Sequence, residues 1–276
     1  LLNSRFHRGG AKKEKLEGCF MSVAIIAPFS IASYFMLNIL HFSVGPILYI
    51  IVATLLLKTT FAIKSMKHHT IPVLHALEDR SIDQARRLVQ RVVRRDTSRL
   101  SEQHIISATV ETIAEGTVDG ITSPLFYFGI LGVPGAVAHR AINTLDSTAG
   151  YRDREHANIG WLSAKLDTWA NFLPARTTAI LMVVASLLLG EDWRNAWRIL
   201  CRDSGNTESV NAGWPMSAMA GALNVQLEKL GHYILGDGNE SLKPKHIVKA
   251  LKIMYITTLL FTTIVVIPIL VIAHCI

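Results

Sequence analysis

The chain predicts an all-α, polytopic integral membrane protein whose kinked or re-entrant helices surround a polar site facing the cytoplasm. Three observations carry that expectation. Half of the 276 residues are apolar and 18% are charged, a low charge content for a soluble globular domain. Uncharged runs of membrane-crossing length stand near both ends of the chain. Between them, residues 111–176 mix carboxylates, amides, a tyrosine and basic groups at helical spacings, interrupted by glycines. Such groups cost free energy beside a bilayer unless they build a site.

The N-terminal segment is basic, with Arg5, Arg8, Lys12, Lys13 and Lys15 ahead of the uncharged run Cys19–Leu40. At 1.5 Å per residue that run crosses a bilayer, and Pro28 is expected to kink it. A second apolar run covers about 42–63, with Lys58 near its end and Lys64 and Lys67 beyond. The third, at about 253–273, follows Lys243, Lys245, Lys249 and Lys252. These basic flanks place the outer ends of the first two spans and the start of the third in the cytoplasm. Lys and Arg total 28 against 21 Asp and Glu. In a membrane protein this surplus reads as topology, and no nucleic-acid-binding module accompanies it, so nucleic acid is not an expected partner.

Over Ile82–Val93 apolar residues recur near a 3.6 period, with Arg86, Arg87, Gln90, Arg91 and Arg94 on the other side. This predicts an amphipathic helix whose basic face meets solvent, lipid headgroups or phosphorylated ligands. Asp96-Thr97-Ser98 reads as an N-cap run for a second helix, Glu102–Glu115. Two further runs, Ile121–Leu145 and Phe172–Gly190, approach spanning length. The first is broken by Pro124, Gly129, Gly132, Pro134 and Gly135, and the second starts with Pro174 and Arg176. If both crossed fully, Asn143–Arg176 would be separated from Glu111–Asp119. Both are therefore expected to be kinked, re-entrant or buried helices that return to the cytoplasmic side.

Trp193 and Trp197 suit a membrane interface, and Arg194, Arg198 and Arg202 its cytoplasmic side. Asn211–Pro215 is a turn into a helix of small residues, Met216–Leu227, built for close packing. No repeat divides the chain, so residues 1–276 are expected to form one membrane domain with a site-forming core at about 94–223. Cys19, Cys201 and Cys275 are far apart and form no CxxC or Cys/His set, which argues against a disulfide framework and a structural zinc site. The chain opens on Leu1, and further N-terminal sequence is expected to precede it.

Glu111 and Glu115 are one helical turn apart, and Asp119 continues that face if the helix passes Gly116. Paired carboxylates suit Mg²⁺ held through one or two direct contacts and waters, or else are solvated or Arg-paired acids. Asn143 with Asp146, and Asp167 with Asn171, project an amide and a carboxylate together, either as helix caps or toward a metal-bound phosphate. Arg152, Lys165, Arg176 and Arg202 suit stabilisation of a transferring phosphoryl or acyl group, while each taken singly reads as a surface or structural cation. His68, His69 and His139 lack ligand spacing and are expected to be incidental. No GxxxxGK[ST], GxSxG or HExxH motif occurs. Asp119-Gly120 alone matches the start of the CDP-alcohol phosphotransferase pattern, but the rest of that pattern does not follow.

The segments RRDTSRL (94–100), ETIAEGTVDGITSPLFY (111–127), GVPGAVAHRAINTLDSTAGY (132–151), KLDTWANFLPAR (165–176) and NAGWPMSAMAGAL (211–223) occur in that order. Together they resemble the adenosylcobinamide-phosphate synthase family, integral membrane proteins of cobalamin biosynthesis. The resemblance implies a ligase at the cell membrane that uses ATP and Mg²⁺. It would join adenosylcobyric acid to an amino-alcohol phosphate, either aminopropanol or ethanolamine phosphate, through an acyl phosphate. It also implies catalytic or ligand roles for Glu111, Glu115, Asp119, Asp146 and Asp167, with Glu115, Asp119 and Asp146 as metal contacts. Arg152, Lys165 and Arg176 would contact phosphate, and Asn143, Tyr151, Asn171, Arg202 and Asn211 complete the implied substrate contacts. The chain departs from the family pattern at Gly116, usually Asn, and at Thr168, usually the second acid of an Asp-Asp pair. It departs again at Thr148-Ala149 and at Val210. Other late cobalamin-assembly enzymes are possible partners, and a non-catalytic scaffold for them, or a transporter, are the alternative functions. The near absence of charge within the three clear spans counts against transport.

Overall fold

The computed structural model describes residues 11–149 and 158–275. Apart from one short hairpin the described residues are helical and joined by turns. The helices are α1 (Ala11–Ile39), α2 (Pro46–Thr60), α3 (Ile63–Glu78), α4 (Ile82–Val89), α5 (Glu102–Thr117), α6 (Ser123–Ala149), α7 (Trp161–Ala170), α8 (Phe172–Leu188), α9 (Trp193–Asp203), α10 (Gly213–Ala222), α11 (Lys245–Phe261) and α12 (Ile267–Cys275). The strands β1 (Leu227–Lys229) and β2 (Tyr233–Leu235) pair antiparallel, with Lys229 opposite Tyr233. Wide π-helical turns occupy Leu40–Val44, Val118–Thr122 and Thr262–Val266.

Four helical runs are long and apolar enough to cross a membrane: Lys13–Val44, Pro46–Glu78, Glu102–Thr148 and Lys245–Ala273. A fifth results if α7 and α8 count as one span. The chain is thus an all-α, polytopic membrane protein. Two of the runs contain the expected spans Cys19–Leu40 and 253–273, and a third overlaps the expected 42–63 span from Pro46 onward. The fourth joins the expected Glu102–Glu115 helix to the Ile121–Leu145 run, with the Val118–Thr122 turn between them.

Contacts gather the chain into two compact units. One contains residues up to Phe61, Ser123–Asn171 and Pro268 onward, and the other contains Ala62–Thr122 and Phe172–Ile267.

In the first unit, α6 packs along α1 and α2, and α7 packs against α1 and α6. Only 11% of the apolar window of Lys13–Val44 is buried inside the protein. Phe20, Phe42 and Ile47 are among the side chains pointing outward, as a lipid-facing surface requires. The helix continues through Pro28, where a kink was expected. In α6 the break is at Gly132, with φ 67° and ψ −160°. Two residues later Pro134 lacks the N–H that would continue the helical ladder, and glycine alone reaches this backbone region without a Cβ penalty. Gly132→Ala is expected to destabilise the protein by about 1–3 kcal/mol. A thermal melt equal to wild type would show that the break is unstrained.

The second unit has a protein-filled interior. The largest fully buried side chains, including Phe261, Ile113, Met182, Ile199 and Met216, all belong to it. The small residues of α10 are buried along its length against α9. A Cβ on Gly221 would lie 2.5 Å from the Asn195 carbonyl oxygen, so glycine sets that approach.

Three boundaries differ from expectation. α4 ends at Val89 rather than Val93, where Gln90 turns aside to accept from the Thr97 backbone N–H and hydroxyl. α5 is capped by Ser101, which accepts from the His104 N–H; Asp96 instead closes a local turn onto the Ser98 N–H. α10 stops at Ala222 rather than Leu227. There Asn224 takes a left-handed conformation, and its side chain bonds Asn195 and Asp192.

Candidate functional site

The second unit holds a cluster on α5. Glu111 is buried, and both of its oxygens are engaged. Oε1 accepts from the Ser107 hydroxyl at 2.6 Å, while Oε2 accepts from Arg95 Nη2 at 3.2 Å and the Tyr233 hydroxyl at 3.0 Å. Ser107 also accepts from the Glu228 backbone N–H at 2.8 Å, so the network fastens the 94–101 loop and the β hairpin to α5. Burial, followed by the charges of Glu111 and Glu115, raises the Tyr233 pKa far above the ordinary phenol range, against the pull of Arg95. Tyr233 therefore stays a proton donor to Glu111.

One turn along α5, Glu115 is half-buried. It lies within electrostatic reach of Glu111 on one side and of Lys229, Arg95 and Arg94 on the other. α5 runs one residue past Gly116, where Met66 occupies the space that a Cβ would need. Asp119 follows in the wide Val118–Thr122 turn.

Elsewhere in this unit, Arg176 Nη1 donates to the Phe172 carbonyl at 2.7 Å and to Asn211 Oδ1 at 3.3 Å. Its guanidinium lies over the Phe172 ring at 3.4 Å and the Trp214 ring at 4.7 Å. Such stacking fixes the plane of the cation. Arg202 is held by Asp203 through two bonds, at 2.6 and 2.8 Å, and by Asp237. It ties α9 to the end of the hairpin.

The first unit holds a second cluster, on α6 and α7. Asn143 Nδ2 donates to Asp167 Oδ1 at 3.3 Å, and the charge of Asp146 bears on the same carboxylate. The Asn171 side chain meets His139 Nε2 at 2.9 Å, and both residues are fully buried. The Tyr127 ring stacks on His139 with centroids 5.4 Å apart, and its hydroxyl donates to the Ala170 carbonyl. His139, expected to be incidental, is thus part of this cluster. Lys165 is exposed on α7. Tyr151 and Arg152 lie outside the described residues.

Among the described residues no three His, Cys, Asp or Glu side chains gather into a metal-ligand set. Mg²⁺ asks for less, since one or two carboxylates, waters and substrate phosphates satisfy it. Asp167 and Asp146 are two carboxylates in electrostatic contact, and the Asn143 amide donates to the first of them. Glu111 is a poorer ligand, since three protein donors occupy its oxygens.

The chain matches the CobD/Cbib protein family over residues 1–254. It belongs to that family. A probable cobalamin biosynthesis protein CobD of Methanothermobacter thermautotrophicus is 41% identical over 248 residues, covering 90% of this chain and 82% of its own length. The cobalamin biosynthesis protein CobD of Dehalococcoides mccartyi is 41% identical over 248 residues, covering 88% of this chain and 80% of the relative. That of Leptospira interrogans is 39% identical over 246 residues, covering 87% and 75%. No solved structure matches the chain.

Arg95, Ser107, Lys229 and Tyr233 were absent from the expected site. Arg95 stands in the segment RRDTSRL and was within reach of the sequence reading. Tyr233 meets Glu111 across 122 residues, a separation that no local spacing reveals.

Proposed function

We propose that this CobD/Cbib family member is a membrane-bound, ATP- and Mg²⁺-dependent adenosylcobinamide-phosphate synthase of cobalamin biosynthesis, with its active site facing the cytoplasm. The observation that carries the pathway is similarity, over most of the chain, to relatives named as cobalamin biosynthesis proteins. In the reaction, the carboxylate of adenosylcobyric acid takes the terminal phosphoryl of ATP, and ADP leaves. The amine of aminopropanol or ethanolamine phosphate then displaces phosphate, loses a proton and becomes an amide.

Asp167 and Asp146 would hold Mg²⁺, which supplies charge neutralisation at the phosphoryl group when bound. Asn143 keeps Asp167 in place. In the second unit, Glu115 is a half-buried carboxylate within electrostatic reach of Lys229, Arg95 and Arg94, the setting of a proton acceptor. In the first unit Lys165, exposed on α7, offers a cation to a phosphate oxygen, and in the second unit Arg176, its plane fixed by two rings, suits an anion. Glu111 acts by positioning, since it locks Arg95 and Tyr233 around α5.

The test is turnover by purified protein in detergent with adenosylcobyric acid, ATP, Mg²⁺ and each amino-alcohol phosphate, cobinamide phosphate being read by mass. Product that requires both ATP and Mg²⁺ is the expected result, and the better amine identifies the preferred substrate. One observation favours transport as a second reading: the Glu102–Thr148 run carries Glu111, Glu115, Asp119 and Arg140. Transport needs a sealed vesicle, so turnover in detergent decides against it. Full-length, folded protein that yields no product with either amine would defeat the synthase reading.

A further inference from the structure

We propose that a groove between α1, α2 and α6 binds one anionic phospholipid, with Arg140 and Thr144 holding its phosphate. The inference is independent of the reaction above.

The groove has a volume of about 400 Å³, and its walls are mainly apolar, with Ile25 and Phe29 on α1 and Val137 and Leu145 on α6. Arg140 also lines it, within a helical run long and apolar enough to cross a membrane. A cation in that setting is costly unless something compensates it. Among the described residues, no carboxylate pairs with Arg140 and no hydrogen-bond acceptor receives it. Thr144 lies one turn further along α6 and also lines the groove. The other threonines there, at 59, 60 and 148, donate their hydroxyls to carbonyls of their own helices. Thr144 has no such bond among the described residues, so its hydroxyl is available beside the guanidinium.

Depth fits the same occupant. Roughly 28 Å of helix separates Ile25 from Val44 at 1.5 Å per residue, about the thickness of a hydrocarbon core. α2 ends at Thr60, on the groove. The groove therefore stands toward the end of the α1–α2 pair remote from the Leu40–Val44 turn, nearer one face of the bilayer than its centre, within reach of a phospholipid's phosphate. An anionic head on the Arg–Thr pair and acyl carbons over Ile25, Phe29 and Val137 satisfy both halves of the groove. A free phosphate would leave the apolar walls uncovered, and a zwitterionic phospholipid brings its own ammonium to compete for the phosphate, so an anionic lipid compensates Arg140 best.

The experiment uses the intact protein in nanodiscs of phosphatidylcholine containing one-tenth phosphatidylglycerol, with retained lipid counted by native mass spectrometry after detergent exchange. Wild type is expected to keep one phosphatidylglycerol. Arg140→Gln is expected to weaken that retention at least tenfold, and Arg140→Lys less. Ala141→Phe fills the groove and leaves Arg140 in place; it should also weaken retention tenfold, and it carries the test if Arg140→Gln does not fold. Three results would overturn the proposal: equal retention of phosphatidylcholine, undiminished retention in both Arg140→Gln and Ala141→Phe, or displacement of the lipid by millimolar glycerol phosphate. The last would mark a site for small phosphate esters.

Discussion

Glu111→Ala is expected to lower the unfolding temperature of the protein in detergent more than any other single carboxylate substitution. The side chain is 8% exposed and accepts three hydrogen bonds, one of them from the guanidinium of Arg95, whose side chain is itself only 16% exposed. Removing one member of a buried ion pair leaves the other charge uncompensated, at a cost of about 3–5 kcal/mol. Two further donors, Ser107 and Tyr233, lose their acceptor as well. Arg95→Met in the Glu111→Ala background should restore part of the loss, because it removes the stranded charge. Glu102→Ala, on the exposed first turn of α5, is the control. If Glu111→Ala melts no lower than that control, the network does not hold the hairpin to α5.

Asp167→Asn is expected to act on chemistry while leaving the fold nearly unchanged. Asparagine keeps the shape of aspartate, and its amide oxygen still accepts from Asn143. The substitution removes one negative charge from the pair Asp167 forms with Asp146, which protein stability should tolerate but a bound cation should not. Turnover in the cobinamide-phosphate assay is expected to fall about 10²-fold or more, and half-maximal activity should need more Mg²⁺. Asp146→Asn should act in the same direction. Unchanged turnover and an unchanged Mg²⁺ requirement in Asp167→Asn would sink the assignment of the cation to this cluster.

The membrane architecture was legible because a bilayer imposes a length and a polarity on every helix that crosses it. Cys19–Leu40 and Ile253–Ala273 declared themselves by the absence of charge alone. The Glu102–Thr148 run was harder to read, since its carboxylates and its Gly132 break divide one helical stretch into two unlike halves. Local spacing foresaw Glu111 beside Glu115 and Asn143 near Asp146, because a helix brings such neighbours together by its own geometry. It did not foresee Tyr233 on Glu111, or Asn171 on His139, since those pairings depend on how distant elements pack. The β hairpin escaped for a related reason. Its three-residue strands are too short to show alternation, and the register is fixed by Ser107 and Asp203, far away in sequence.

The outward-facing phenylalanines and isoleucines of α1 and α2 leave the first unit more dependent on lipid than the second, whose interior is filled by its own side chains. The unit built around Phe261 and Ile113 carries its apolar surroundings with it, as side chains of its own. The unit built on α1, α2 and α6 borrows them, so lipid molecules serve it as the missing half of a hydrophobic interior. A change of detergent or acyl-chain length therefore acts on that unit as a core mutation would act on a soluble protein, while the interior around Phe261 keeps its own packing.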